Sequence, residues 1–145
     1  MQLVATPIGV GTPRRTTFDD WNHVKKATDA ALDETRPYFH DGEIWWVRLG
    51  VNVGYETDGK NCEFTRPVIV LKKYNQYSFL AAPLTATQRP SPCRPPIGMV
   101  EGKPSSATLS QLRNIDSKRL VRKIGRLESD ALEAIRKEAS RVNFG

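Results

Sequence analysis

Two runs of β-branched and aromatic residues, RPVIVLKK (66–73) and YSFLAAPL (77–84), are separated only by Tyr74, Asn75 and Gln76. So short a polar connection between two strand-forming segments predicts an antiparallel hairpin. A third run, GEIWWVRLG (42–50), sets Trp45, Val47 and Leu49 against Ile44, Trp46 and Arg48. Both of its faces are partly apolar, which suits a strand of a small barrel better than a sheet lying against water.

Around this centre the chain reads as short strands with one helix at each end. Thr17 is placed to cap a helix carrying Asp19 and Asp20 in its first turn and an apolar stripe of Phe18, Trp21, Val24 and Ala31. Pro37 closes that segment. Residues 1–16, with Pro7, Gly9, Gly11 and Pro13, predict a loose tail. Gly54 to Thr65 reads as a polar loop. Four prolines between Arg89 and Pro96 exclude a ladder there and predict an irregular loop. Strands are expected at 97–101, 107–110 and 123–127. Ser129 is placed to cap a helix with Leu132, Ile135, Ala139 and Val142 on one face. The expected architecture is mainly β, a small open barrel with an N-terminal and a C-terminal helix. Residues 1–40 form the tail and first helix, and residues 41–145 the barrel domain.

With 145 residues, 39% of them hydrophobic, the chain can bury one continuous core. Its net charge of +6 is concentrated: 88–126 holds nine Lys or Arg against Glu101 and Asp116, a local +7. Such a stretch favours a polyanionic partner, although a solvated basic face reads the same way. Cys62 and Cys93 lack metal-ligand spacing and read as free thiols of a reducing cytosol. No apolar run is long enough for a signal peptide or a membrane helix, so a soluble, cytoplasmic protein is expected.

If the polyanion is RNA, the 2′-hydroxyl beside the scissile phosphate is a built-in nucleophile, and the protein has to supply a cation, donors and proton acceptors. His23 and His40 stand 17 residues apart and read as surface residues. Arg66, between a polar loop and an apolar strand, is the better phosphate cation; the alternative is an ion pair with Glu56 or Glu63. Thr85 ends the second hairpin strand, where a hydroxyl donor can emerge or can simply bond backbone, and Thr87 and Gln88 follow. In SQLRN, Gln111 and Arg113 alternate with Leu112 and can project from one face. Tyr55 and Tyr74 can stack on bases or serve as rim residues.

The successive segments GEIWWVRLGVNVGYETDGK, RPVIVLKKYN, FLAAPLTATQ and SSATLSQLRNIDSKRLVRKIGRL resemble, in order over some 100 residues, the blocks of the MazF/PemK toxin family. The resemblance implies an SH3-like or PemK-like barrel and a homodimer. It also implies cleavage of single-stranded RNA to 2′,3′-cyclic phosphate and 5′-hydroxyl ends without metal or other cofactor. A cognate antitoxin is implied too, with a disordered tail that folds into the RNA groove. The family's catalytic Arg falls on Arg66 and its catalytic Thr on Thr85. Its loop Glu aligns with Glu56, and its Gln with Gln111, followed by Arg113. Tyr55, Thr87, Gln111 and Arg113 are thereby RNA-contacting candidates. A guanidinium gives up its proton only with great difficulty, so Arg66 reads as electrostatic stabiliser and acid, and Glu56 as base. Tyr55 stands where many members have Ser, and TDGKNCEFTRP carries extra residues before Arg66. The competing readings are a barrel of this fold that binds nucleic acid or protein without cutting, and a decayed toxin that sequesters antitoxin.

Overall fold

The structure is a computed structural model and describes residues 15–60, 64–87 and 89–145. Cys62, Glu63, Gln88 and the proposed tail up to residue 14 lie outside the described residues; Cys93 is a free, half-buried thiol. The elements run α1 (Arg15–Asp29), β1 (Glu43–Arg48), β2 (Thr65–Lys73), β3 (Ser78–Thr85), β4 (Pro96–Val100), β5 (Lys103–Ala107), β6 (Arg113–Asp116), β7 (Leu120–Arg126) and α2 (Ser129–Phe144). Short 3-10 turns stand at Asp33–Thr35, Leu109–Gln111 and Ser117–Arg119.

The hairpin predicted from its two apolar runs is the centre of the molecule. β2 and β3 pair antiparallel with Val68 opposite Pro83, Ile69 opposite Ala82 and Val70 opposite Ala81. The Asn75 side chain closes the turn by accepting from the Tyr77 and Ser78 backbone N–H groups. The full order is β4-β5-β3-β2-β1-β7, with β6 also on β3, and all pairings are antiparallel. β3 thus serves two neighbours on one side, β6 along its first half and β5 at its end. The turn Ser117–Arg119 carries the chain directly from β6 to β7, which curls the sheet into the expected half-barrel.

Alternation along the strands divides the side chains between two cores. Trp45, Val47, Val68, Val70, Phe79 and Ala81 fill the barrel interior with Phe39, Ile115 and Leu120. Ile44, Ile69, Leu71, Ala82 and Leu84 point the other way, onto Leu132, Ile135 and Ala139 of α2. A period of two in the strands meets spacings of three and four in the helix, which is why both faces of β2 are apolar. Arg136 fastens α2 to the sheet, donating from Nε to the Leu71 carbonyl at 2.8 Å and from a terminal nitrogen to Asp41 at 2.9 Å.

Several boundaries differ from expectation. Thr17 is not a cap: it lies inside α1, which is already helical at Arg15, the first described residue, so Asp19 and Asp20 do not open the helix. Of the proposed stripe only Trp21 is buried, with Val24 beside it; Phe18 is largely exposed, and Ala31 lies past the helix end. Ser129 is the first helical residue of α2, after Glu128. The strand expected at 107–110 is instead β5, ending at Ala107, followed by a 3-10 turn that drops Leu109 into the core beneath α2. β4 stops at Val100, since Glu101 turns the chain with a φ of 50°. β7 begins at Leu120, three residues before the expected start.

α1 docks through Trp21, which packs with Val51 and Phe64. Gly50 is required for this contact: its φ is +85°, and a Cβ there would stand 2.2 Å from the indole.

Glu43 is a buried carboxylate, 3% exposed, at the start of β1. It accepts from the Trp45 indole at 2.9 Å, from the His40 backbone N–H at 2.9 Å and from Lys123 Nζ at 3.3 Å. Burial pushes its pKa up, but these hydrogen bonds outweigh burial and hold it below the ordinary 4.5. A lowered folded-state pKa contributes stability that is fully present above the unfolded value and is lost as pH falls through the folded one. Glu43→Gln should therefore cost about 1.5–3 kcal/mol at neutral pH, the worth of a hydrogen bond to a charged group. Urea denaturation as a function of pH should show the two proteins converging as pH falls through the lowered folded-state pKa of Glu43.

Candidate active site

Arg66 and Thr85 meet because of strand register. The β2–β3 ladder ends at Val68 opposite Pro83, with Arg66 two residues before it and Thr85 two residues after, and Arg66 reaches across to the Leu84 carbonyl. Both line one open cavity of about 290 Å³, together with Trp46, Lys60, Glu101 and Lys103. The Arg66 guanidinium donates from Nε to the Asp58 carbonyl at 2.6 Å and from a terminal nitrogen to the Leu84 carbonyl at 3.1 Å. Burial lowers its pKa while the Asp58 charge opposes that shift, and a guanidinium in this state stays charged at physiological pH. Thr85 Oγ1 accepts from the Thr87 backbone N–H at 3.2 Å, a contact that leaves the hydroxyl proton available to a ligand.

The remaining candidates gather in a neighbouring cavity of about 510 Å³. Tyr55, Glu56, Gln111 and Arg113 line it with Asn52 and Thr57. Gln111 lies in a 3-10 turn and Arg113 opens β6, so they do not alternate along one strand as expected, yet the turn brings both to the same hollow. Burial lowers the Arg113 pKa, and Glu56 opposes that effect. Glu56 binds the Val53 backbone N–H at 3.0 Å and does not line the Arg66–Thr85 cavity. Thr87 and Tyr74 are exposed and line neither hollow. His23 and His40 are exposed, as expected.

The segment from Asn52 to Lys60 stands between the two hollows and is tied to both. Gln111 Oε1 accepts from the Thr57 backbone N–H and hydroxyl, each at 2.6 Å, and its Nε2 donates to the Tyr55 carbonyl at 2.7 Å. Asp58 then presents its carbonyl to Arg66. The neutral amide of Gln111 thus latches the loop while the guanidinium of Arg66 holds its far end.

Sequence reasoning missed Glu101. It sits on the β4–β5 turn, some 35 residues after Arg66, and reaches the cavity only because β5 pairs with the end of β3. Its Oε1 accepts from the Trp46 indole at 3.0 Å and from Arg122 at 2.7 Å. These two bonds, the indole's first, lower its pKa below 4.5 and keep it ionised. The lone acidic residue before β5 in an otherwise basic stretch was the signal available.

Residues 40–142 match the profile of the PemK-like, MazF-like toxins of type II toxin-antitoxin systems. The chain belongs to this family. Solved structures of similar fold include MazF from Deinococcus radiodurans, 22% identical, covering 73% of this chain and 97% of that one with a TM-score of 0.61. A MazE-MazF structure from the same organism is 20% identical, covers 73% and 96%, and has a TM-score of 0.55. A structure described as an endoribonuclease in complex with its cognate antitoxin, from Mycobacterial species, is 12% identical, covers 74% and 98%, and has a TM-score of 0.54. At these identities the likeness is one of fold. Comparison with curated protein sequences returns no match. The toxin's α1 lies wholly before the family match.

Gln111→Ala removes the amide that holds Thr57 and Tyr55. Backbone amides of 53–58 should then exchange with deuterium at least several-fold faster, while global stability changes by about 1–2 kcal/mol, since the bonds lost are half-exposed. Hydrogen-exchange mass spectrometry beside a urea melt reads both quantities.

Proposed function

We propose that this toxin is a metal-independent endoribonuclease that cleaves single-stranded RNA at a short sequence, leaving 2′,3′-cyclic phosphate and 5′-hydroxyl ends. The observation that carries this reading is the shared cavity of Arg66 and Thr85, with an ionised carboxylate, Glu101, on its wall. In the step proposed, the 2′-oxygen attacks the adjacent phosphorus, its proton passes to a carboxylate, and the bond from phosphorus to the 5′-oxygen breaks. Negative charge grows on the non-bridging oxygens, where Arg66 and the Thr85 hydroxyl can donate to it. The leaving 5′-oxygen needs a proton, and Arg66, or water held by it, is the donor at hand. Arg66 must first exchange its bonds to the Asp58 and Leu84 carbonyls for bonds to phosphate.

We assign proton acceptance to Glu101 and substrate positioning to Glu56, Tyr55, Gln111 and Arg113. Glu101 Oε1 is engaged by Trp46 and Arg122, and among the described residues no hydrogen bond engages Oε2, so that oxygen can face a substrate hydroxyl. The neighbouring hollow, with a tyrosine, an amide and a guanidinium, has the groups to stack on bases and bond their edges. Thr87, past the end of β3, is placed to touch RNA only at the rim. The family and the antitoxin-bound fold relative support a cognate antitoxin as partner, and we infer a homodimer as the working assembly.

Purified toxin incubated with a long single-stranded RNA in EDTA should cut at one recurring short sequence, with cyclic phosphate on the upstream fragment. Arg66→Ala should slow cleavage at least 100-fold, the scale of a lost transition-state donor. Glu101→Gln should lose 10²–10⁴-fold in rate, the range for a general base, with KM little changed. Glu56→Gln should act mainly on KM. Tight RNA binding without cutting would replace this reading with that of a binding barrel. Cleavage lost in Glu56→Gln but kept in Glu101→Gln would return the base role to Glu56.

A further inference from the structure

α1 is outside the segment that matches the toxin family, yet it builds a third hollow with residues inside that segment. A cavity of about 360 Å³ opens between α1 and the turn Ser117–Arg119. Its charged lining is Lys25, Lys26 and Asp29 from the helix, and Asp116, Lys118 and Arg119 from the barrel.

The acidic members are partly occupied. Asp116 accepts from Arg36 at 2.6 Å and from the Lys118 backbone N–H at 2.8 Å. Lys118 Nζ donates to the Asp29 backbone carbonyl at 2.9 Å, holding the helix end against the barrel, and stands 3.8 Å from Asp33. Among the described residues, no side-chain hydrogen bond or ion pair engages the ammonium group of Lys25 or Lys26.

Arg119 links this hollow to the candidate active site. It is half-buried, lies 5.8 Å from the Trp21 ring and donates to the Arg48 carbonyl at 3.2 Å. The Arg48 carbonyl that Arg119 holds is next in the chain to Leu49, which lines the hollow of Tyr55 and Gln111, so Arg119 reaches the segment that borders that hollow. Burial and the charge of Arg113 lower the Arg119 pKa, and Asp116 opposes them. Arg113 lines the hollow of Tyr55 and Gln111. Arg113 on the far side of that segment and Lys25, Lys26, Lys118 and Arg119 on this side outnumber the carboxylates of Asp29 and Asp116 in the lining. An anion lying along these groups is favoured by their excess of positive charge.

The lining also selects the kind of anion. Trp21, the apolar residue of this hollow, is only 7% exposed, so there is no platform on which a base can stack and no pocket for an apolar peptide anchor. Ammonium groups on flexible stems suit phosphates as point charges.

We propose that α1 and the β6–β7 turn form a phosphate-binding extension of the RNA groove, in which Lys25, Lys26, Lys118 and Arg119 hold the backbone of single-stranded RNA beyond the recognised bases. The extension rests on the RNA-cleaving reading of the groove. It makes binding length-dependent and sequence-independent on this side of the molecule.

The test uses full-length Thr85→Ala toxin, to separate binding from cutting, with and without Lys25→Ala and Lys26→Ala. Both lysines are exposed on α1, so folding is unaffected. Fluorescent single-stranded RNAs of 6 and 20 nucleotides sharing one sequence are titrated between 50 and 200 mM salt. Loss of two phosphate contacts should make the log K against log salt slope for the 20-mer shallower by about 1.4, at roughly 0.7 per phosphate on single strands. Affinity for the 20-mer should fall about tenfold at the lowest salt, while the 6-mer is unchanged. Lys72→Ala with Lys137→Ala, removing equal charge elsewhere, should leave the 20-mer slope as it was. Equal slopes for the parent and the Lys25, Lys26 variant would overturn the proposal. So would a loss of binding to polyglutamate with none to RNA, which would mark an acidic protein surface as the partner. Cleavage by toxin carrying Thr85 is read in parallel, so failure of the nuclease reading and failure of the extension give different results.

Discussion

The β2–β3 pairing is the constraint on which the rest depends. Its register sends Val68, Val70, Phe79 and Ala81 into the barrel and Ile69, Leu71, Ala82 and Leu84 beneath α2. A slip by one residue would exchange the two sets and place Lys72 on an apolar face, so burial on both sides fixes the register firmly. The same register delivers Arg66 and Thr85 to the same level of the sheet, one at the start of β2 and the other at the end of β3. Packing and chemistry are thus set by one ladder.

Around that ladder the candidate site is a partition. The charge-bearing hollow of Arg66, Thr85 and Glu101 and the neighbouring hollow of Tyr55, Glu56, Gln111 and Arg113 share a wall, the segment from Asn52 to Lys60. Because Asp58 offers Arg66 a carbonyl at 2.6 Å, the cation is held in place before any phosphate arrives. Gly59 keeps that segment close to the barrel: a Cβ there would stand 1.7 Å from the Phe64 carbonyl oxygen. Substrate has to displace backbone acceptors from the guanidinium, which favours ligands with phosphate oxygens over weaker acceptors.

Much of this was legible in the sequence where local chemistry decides. The β-branched runs named β2 and β3 and the spacing of Leu132, Ile135 and Ala139 named α2, whereas position alone left Arg66 open to an ion pair and Thr85 to a backbone bond, and the family resemblance singled them out. What was not legible arises from long-range pairing. Glu101 enters the site only through the β5–β3 ladder, and no spacing in the chain announces it. The separation of Glu56 from Arg66 depends on how Gln111, 55 residues along, pins the loop. Thr17 is a plausible cap in isolation, yet it lies inside α1, which is already helical at Arg15. Its basic hollow became visible only once Trp21 was seated over Gly50.

The central claim is that Arg66 and Thr85 act on one phosphate. A double-mutant cycle of single-turnover RNA cleavage by the parent, Arg66→Ala, Thr85→Ala and the double variant tests it most directly. Residues that act as a unit are strongly non-additive, so the double variant should be little slower than the worse single one, with the bulk of the rate lost in the first substitution. Rate losses that simply multiply would show two independent contributions and would contradict the account of a shared site.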